Sequence, residues 1–427
     1  MTKNKLVHLN HRFMPTIIWG FRIIVGITFV FSGLSKMIDL WGFIYKIEQY
    51  LNVWQIPQPR SLTFFTAIML SGVEFIIGFM TLTGSFKRTS AWLSMLVMLF
   101  MLPLSAYIAI AKPVDDCGCF GDALIISNTA TFIKNIALFA MSLYLSYYNH
   151  KVTGLYTTYS QWLQSTIAIA YILIVGFIGY SLQPLIDFRP FKVGSELKFE
   201  HEDSDESATT FKYIYAKNGH QEYFTIDNLP DSSWTYIDRI SDAQTAQSQE
   251  WIVVRDENGE PAYDIISSDG PQLILLIPEI DNADIASTYL INEINRHIID
   301  LGGNLIALIG TDAKGIQEWR DIALASYPIY SVEDSYIKEI ARGNVSLVYL
   351  FDGIIKWKRT LYSIEAENFN APNDTVFEEL EFSGNYIFGI LTAIFGCLEF
   401  ILWCIDRSGR AVKSHLTRKN QKKSVTL

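Results

Sequence analysis

Six apolar stretches of about 20 residues constrain this chain more than any other feature. They run near 16–36, 63–83, 90–111, 129–148, 164–183 and 385–405. Wound as a helix, each is long enough to cross a hydrocarbon core of roughly 30 Å, where the backbone must satisfy its own hydrogen bonds. The expected fold class is a polytopic α-helical membrane bundle in contact with lipid. Composition agrees, with 50% hydrophobic and 18% charged residues in 427, against roughly 25% charged in soluble proteins. No small-residue cleavage site follows the first stretch, so it reads as a span and not as a leader.

The net charge of −10 is divided unevenly. Residues 184–384 hold 36 acidic and 15 basic residues, whereas the rest of the chain holds 8 and 19. An acidic, soluble segment on a basic, apolar anchor excludes nucleic acid as a partner, because phosphate would be repelled. Basic residues also orient the spans. Lys3, Lys5 and Arg12 precede the first, Lys87 and Arg88 separate the second and third, Lys151 follows the fourth, and a basic tail follows the sixth. All four segments fall on one side, which the positive-inside rule makes cytoplasmic. The expected location is a bacterial inner membrane with both termini cytoplasmic and residues 184–384 outside. Residues 37–54, with Trp41, Phe43, Tyr45, Tyr50 and Trp54 among charges, read as an interfacial amphipathic helix on the outer surface. The acidic run Glu200 to Glu206 reads as a solvated loop.

The outer segment has two patterns. Residues 209–266 read as strands and β-hairpins, the first turning at Asn218-Gly219 and a second, Trp251–Arg255 with Ala262–Ile266, turning at 257–260. From 270 to 365 the order changes to a buried strand (273–277), a helix (283–300), a second buried strand (305–309), a helix (313–326) and a hairpin through Asp352-Gly353. That order resembles the thioredoxin-like α/β fold. The family carries Cys-x-x-Cys after the first buried strand, but this chain has Pro278 to Asp284 without cysteine, and Gly343-Asn344-Val345 where the family places a cis-proline. The resemblance therefore implies a degenerate thioredoxin-like domain that binds a protein client or partner and does not react.

Chemistry is concentrated in Asp115-Asp116-Cys117-Gly118-Cys119-Phe120-Gly121-Asp122, an outward loop before the fourth span. Exposed thiols on the oxidising side of a membrane tend to be paired or redox-active. Cys117 and Cys119, one glycine apart, can reach disulfide distance, and Gly118 and Gly121 supply backbone freedom. Two readings stay open, an exchanging pair or a static clip. A metal centre fits less well, since two thiolates without a nearby histidine fall short of four ligands. The acidic neighbours disfavour a thiolate, and Lys112 offers partial compensation. Within the spans, Glu74 lies near mid-bilayer, Lys36 ends the first span, and Lys134 and Asn135 sit below the outer end of the fourth. In a bundle these could converge on a polar pocket under the cysteine loop, together with Asp122. Equally, Lys36 and Lys134 could snorkel with Glu74 pairing one of them. Arg22 is expected to snorkel, and Cys397 and Cys404, seven apart on the last span, to pack in apolar surroundings.

Phe31-Ser32-Gly33-Leu34-Ser35-Lys36, Glu74 with Gly78, and Cys117-Gly118-Cys119-Phe120-Gly121-Asp122 followed by Lys134-Asn135 resemble the DoxX and MauE family of four-helix membrane proteins. The resemblance covers residues 15 to about 150. It implies a membrane component of thiol–disulfide exchange or of the maturation of exported proteins, with Cys117 and Cys119 as the catalytic pair and quinone as an electron acceptor. No cofactor motif is evident in the residues themselves. The expected organisation is a DoxX/MauE-like bundle (1–150), a fifth transmembrane helix (151–183), the outer domain (184–384), a sixth transmembrane helix (385–405) and a cytoplasmic tail (406–427). Two other classes are an envelope assembly scaffold, in which the cysteines form only a clip, and a small-solute transporter. The latter needs discontinuous spans, for which Pro103 is the sole hint.

Overall fold

A computed structural model describes residues 2–57, 59–114, 116–197, 211–217, 220–225, 235–241, 253–284, 286–369 and 375–424. Asp115, Glu200 to Glu206, Asn218-Gly219 and Trp251 lie outside the described residues. Among the described residues, six helices are long and apolar enough to cross a membrane: Phe13–Ile38, Arg60–Thr83, Lys87–Ala111, Asn128–Lys151, Gln161–Ser181 and Val376–Val412. These include the whole or most of α1 (Thr2–Ile38), α3 (Arg60–Thr83), α4 (Lys87–Ala111), α5 (Asn128–Tyr148) and α6 (Gln161–Ser181). The last contains α10 (Val376–Glu379) and much of α11 (Gly384–Ser424), which continues as helix through the basic tail. The amphipathic segment forms α2 (Leu40–Val53), capped by Asp39, whose Oδ1 accepts from Gly42 N at 2.9 Å.

Two glycines bring α1 and α3 together. A Cβ on Gly33 would lie 2.5 Å from Phe75 N and Ser71 O, and one on Gly78 would lie 2.6 Å from Val30 N. Backbones that close leave no room for a methyl group, which is the physical reason for glycine here. At the opposite end, Arg22 departs from the snorkelling expectation. It is fully enclosed, with Nε donating to Asn149 Oδ1 at 2.6 Å and the guanidinium donating to the carbonyls of Asn149, Val152 and Thr153. Arg22 thus joins the turn after α5, whose Asn149 carbonyl also accepts from Val152 N at 3.4 Å. Pro103 is accommodated inside an unbroken α4. Cys397 is exposed on α11, on a face that a membrane span turns to lipid, and Cys404 is half-buried, so neither is enclosed by protein as expected.

A three-stranded antiparallel sheet of β1 (Phe211–Lys217), β2 (His220–Thr225) and β3 (Thr235–Ser241) has the order β2-β1-β3, with Lys217 opposite His220. The second expected hairpin reduces to a turn with an isolated bridge between Arg255 and Pro261. Then follow β4 (Pro271–Ile277), α7 (Ser287–Asp300), β5 (Asn304–Ile309), α8 (Ala313–Ala323), β6 (Ile329–Ser331), α9 (Asp334–Ile340), β7 (Ser346–Phe351) and β8 (Ile354–Thr360). The sheet order is β6-β5-β4-β7-β8, parallel from β4 to β6 and antiparallel across β7 and β8. Alternate residues of β4 serve two cores: Leu273, Leu275 and Ile277 meet α7 and α8, while Ile274 and Leu276 meet α9. This two-sided burial explains its uninterrupted apolar run. The mixed sheet is consistent with a thioredoxin-like domain, to which β6 and α9 are additions not anticipated from the sequence.

The α/β domain packs on the bundle. Gln183, just beyond α6, exchanges hydrogen bonds with the backbone of Arg342 at 2.7 and 3.0 Å, and Arg60 of α3 donates to Asn344 Oδ1 at 2.5 Å. The contact puts this domain and the cysteine loop on the same side of the bundle.

Candidate functional site

The cysteine loop leaves α4 at Lys112 and turns at Gly118 (φ +66°) and Gly121 (φ +55°) before α5 begins. Both values lie in the left-handed region that glycine adopts without strain. The turn brings the sulfurs of Cys117 and Cys119 within 2.8 Å of each other. Polar contacts hold the loop from several directions. Asp116 Oδ2 accepts from Gly118 N at 2.8 Å, and its Oδ1 accepts from Lys46 Nζ of α2 at 2.5 Å. Tyr50 Oη donates to the Cys117 carbonyl at 3.0 Å. From below, the Ser32 hydroxyl lies 2.7 Å from the Cys119 carbonyl and 2.8 Å from Glu74 Oε2, placing one shared proton between two acceptors.

Beneath the loop is a cavity of about 380 Å³. Cys117, Cys119, Lys36, Glu74, Lys134 and Asn135 all border it, and Leu70, Val73, Leu96, Phe100 and Leu104 form apolar walls between α3 and α4. Lys36 Nζ meets Glu74 Oε2 at 2.6 Å, with both side chains buried. Lys134 Nζ lies 4.0 Å above the centre of the Phe120 ring, a cation–π contact that keeps a second positive charge beside the sulfurs. Of the alternative reading, the pairing is present, since Glu74 meets Lys36, and Lys134 rests on Phe120. Both contacts are made inside the cavity.

Asp122 departs from the expected pocket. It is not among the residues bordering the cavity. Its Oδ2 lies 2.5 Å from Nη2 of Arg342 on the α/β domain, because the short 3-10 turn after Gly121 directs it away from the bundle. The same guanidinium grips Asp39 at the α1–α2 junction, at 2.7 Å from Nη2 and 3.0 Å from Nε. Burial alone would raise Asp39, but Arg342, with Arg189 and the Gly42 N–H, more than offsets it and holds the carboxyl below the usual range. Asp122 is raised by burial, which Arg342 counters only in part.

The thiols are electrostatically unequal. The hydrogen bond shared with Cys117, opposed by burial and aided by Lys134 and Lys36, lowers Cys119 to about 7. Cys117 is raised, first by that same hydrogen bond and then by its own burial. The lysines that chiefly favour the Cys119 thiolate are therefore Lys134 and Lys36 from the spans. Ser32, Tyr50, Lys46, Asp39 and Arg342 are site residues that sequence reasoning did not single out. Among the described residues, no three His, Cys, Asp or Glu side chains gather as metal ligands.

Residues 14–148 match the family described as methylamine utilisation protein MauE. Residues 209–243 match a domain of unknown function, DUF8463. No curated protein matches the chain. One solved structure, the bacterioferritin comigratory protein of Xanthomonas campestris, described for its alkyl peroxide reduction activity, is similar over 34% of this chain and 90% of its own, with 11% identity and a TM-score of 0.21. In its first four spans, then, the chain is similar to the MauE family of membrane proteins, and the α/β domain lies outside that match.

Proposed function

We propose that this is an inner-membrane protein that supports thiol–disulfide exchange, or the maturation of exported proteins, through Cys117 and Cys119. The observation that carries the reading is the sulfur pair, 2.8 Å apart, at the rim of a membrane cavity bordered by Lys36, Glu74, Lys134 and Asn135. In the oxidising direction, a client thiolate attacks one sulfur of a Cys117–Cys119 disulfide and displaces the other as a thiolate. A second client thiolate then resolves the mixed disulfide, leaving the client oxidised and both cysteines reduced. Cys119, poised near neutrality with Lys134 and Lys36 beside it, is the better leaving thiolate of the two.

The reduced pair must pass on two electrons and two protons. The cavity has apolar walls for an isoprenoid tail and Lys36, Lys134 and Asn135 at one end as donors to carbonyl oxygens, which fits a quinone. A bound quinone would accept the electrons and protons of the dithiol. The Ser32 hydroxyl and Glu74 carboxylate lie where a proton can be held at Glu74 Oε2 as the pair is oxidised. Here the termini are cytoplasmic and the α/β domain extracytoplasmic. Nothing in the site calls for methylamine itself as a substrate.

One observation favours the scaffold as a second reading. The segment Pro278–Asp284 holds no thiol, and its Glu279 is engaged with Lys338 at 3.0 Å and Arg60 at 3.8 Å. Replacing Cys117 and Cys119 with serine separates the two. Oxidation of an exported reporter thiol pair should be lost under exchange and retained under a scaffold.

A further inference from the structure

Helix α2 lies across the cysteine loop, and the α/β domain grips α2. Tyr50 donates to the Cys117 carbonyl, Lys46 pairs with Asp116, and the Lys46 stem rests on Gly118, where a Cβ would come within 2.8 Å of Lys46 Cγ. At its other end α2 is pinned by the domain. Arg342 forks onto the helix cap Asp39, and Tyr45 Oη stands 3.3 and 3.2 Å from the N and O atoms of Gly343. Arg60, at the start of α3, donates to Asn344 at 2.5 Å. Contact at Gly42 is close enough that a Cβ there would lie 2.5 Å from Asp39 Oδ2 and 2.7 Å from Arg342 Nη2. Asp122, three residues beyond Cys119, takes the remaining reach of the same guanidinium.

We propose that α2 is a lid over the cysteine pair and that Arg342 of the α/β domain latches it shut by holding Asp39 at the lid's base and Asp122 on the loop. With the lid closed, the sulfurs border the membrane cavity on one side and α2 on the other. With it lifted, they face the aqueous phase, where a protein disulfide can approach. The base of the latch is two-state in character, because Arg342 and Asp39 are both enclosed and parting them leaves a buried charge uncompensated, whereas Asp122, with 43% of its side chain exposed, can release to water. The backbone of Arg342 is itself fixed, its carbonyl accepting from Gln183 and from Ser346 Oγ at 2.6 Å, so movement of the guanidinium requires movement of the domain. Whatever engages the α/β domain therefore governs access to the cysteines, and by linkage the state of the loop governs docking of the domain. The lid concerns access alone and goes beyond the exchange reading of these cysteines.

The test uses the full chain, reduced and in lipid nanodiscs, with Cys397→Ser and Cys404→Ser. Reaction of the remaining pair with a charged, membrane-impermeant methanethiosulfonate is timed at pH 8.5, above the Cys119 midpoint, so that ionisation does not decide the rate. Asp122→Ala keeps the Arg342–Asp39 contact and the docked domain, and should speed the reaction about threefold to fivefold, or up to about 1 kcal/mol on the closing equilibrium, as suits a pair whose carboxylate is 43% exposed. Arg342→Ala should speed it further, while Arg320→Ala, which breaks a remote pair with Glu257, should not. N-ethylmaleimide, small and permeant, should change by less than about twofold. Rates for Asp122→Ala within about twofold of the unmodified protein would overturn the latch even if Arg342→Ala failed to fold. Failure of the exchange reading would look different, because the reduced pair would still react at lid-dependent rates while remaining permanently oxidised in cells.

Discussion

Removing the Cys117 thiol should make Cys119 a worse thiolate, and the size of the effect follows from the site. Cys119 lies near 7 against an ordinary thiol value of 9.0, chiefly because of the hydrogen bond it shares with Cys117. At pH 7 about half of Cys119 is then thiolate, compared with about 1% for an ordinary thiol, a population advantage of about fiftyfold. A more acidic thiolate is also less nucleophilic. With a Brønsted slope of about 0.45, the difference costs about eightfold. The net expectation is that Cys119 reacts about sixfold faster with iodoacetamide at pH 7 than it does in Cys117→Ala. The sharper readout is the pH profile, whose midpoint does not depend on access. The rate rises with pH as the proton leaves, half-maximal near 7 in the unmodified, reduced protein and moving toward 9 in Cys117→Ala, in a Cys397→Ser, Cys404→Ser background. Lys134→Met should move the midpoint in the same direction by less. A midpoint at or above 9 in the unmodified protein, or one that Cys117→Ala leaves in place, would refute the reasoning.

Glu74→Ala leaves the Lys36 ammonium enclosed without its partner and should cost about 3–5 kcal/mol, seen as a lower thermal midpoint in detergent. Lys36→Met with Glu74→Leu should recover most of that loss, since the pair is removed together. Gly33→Ala places a methyl group 2.5 Å from the α3 backbone and should cost about 1–3 kcal/mol by forcing the helices apart, whereas Gly389→Ala, with nothing within 4 Å, should be tolerated. Val73→Trp fills the cavity beside Glu74. Reoxidation of the cysteine pair by added ubiquinone-1 should slow at least about tenfold, while reduction by dithiothreitol stays within about twofold.

Much of the architecture is local information and was readable. Spans of about 20 apolar residues, the aromatic amphipathic stretch that became α2, and the continuous apolar runs of β4 and β5 each state their environment through their own residues. The site was partly readable for the same reason. Lys36, Glu74, Lys134 and Asn135 are costly in a membrane, and the structure brings all four to one cavity beside Cys117 and Cys119. What failed was long-range. Arg342 and Asp39 are 303 residues apart, and a lone arginine in an acidic domain carries no signal that it will close on a helix cap in the bundle. Asp122 was misplaced with it, because charge and proximity to Cys119 suggested the pocket while the turn geometry directs it to Arg342. Ser32 stood inside a quoted motif, but a hydroxyl in a helix usually bonds its own preceding turn, as Ser71 does here at 2.8 Å. Arg22 misled through a general rule. Its partners are backbone carbonyls of a turn that only the folded bundle brings beside it.

The most direct test of the account is the thiol state of Cys117 and Cys119 in intact cells. Acid quenching, labelling with a heavy maleimide with and without prior reduction, and counting mass shifts in the Cys397→Ser, Cys404→Ser background would give it. An exchanging pair predicts a mixture of reduced and oxidised protein that shifts when respiration is blocked. A pair that stays fully oxidised in every condition would contradict exchange and leave the cysteines as a structural clip.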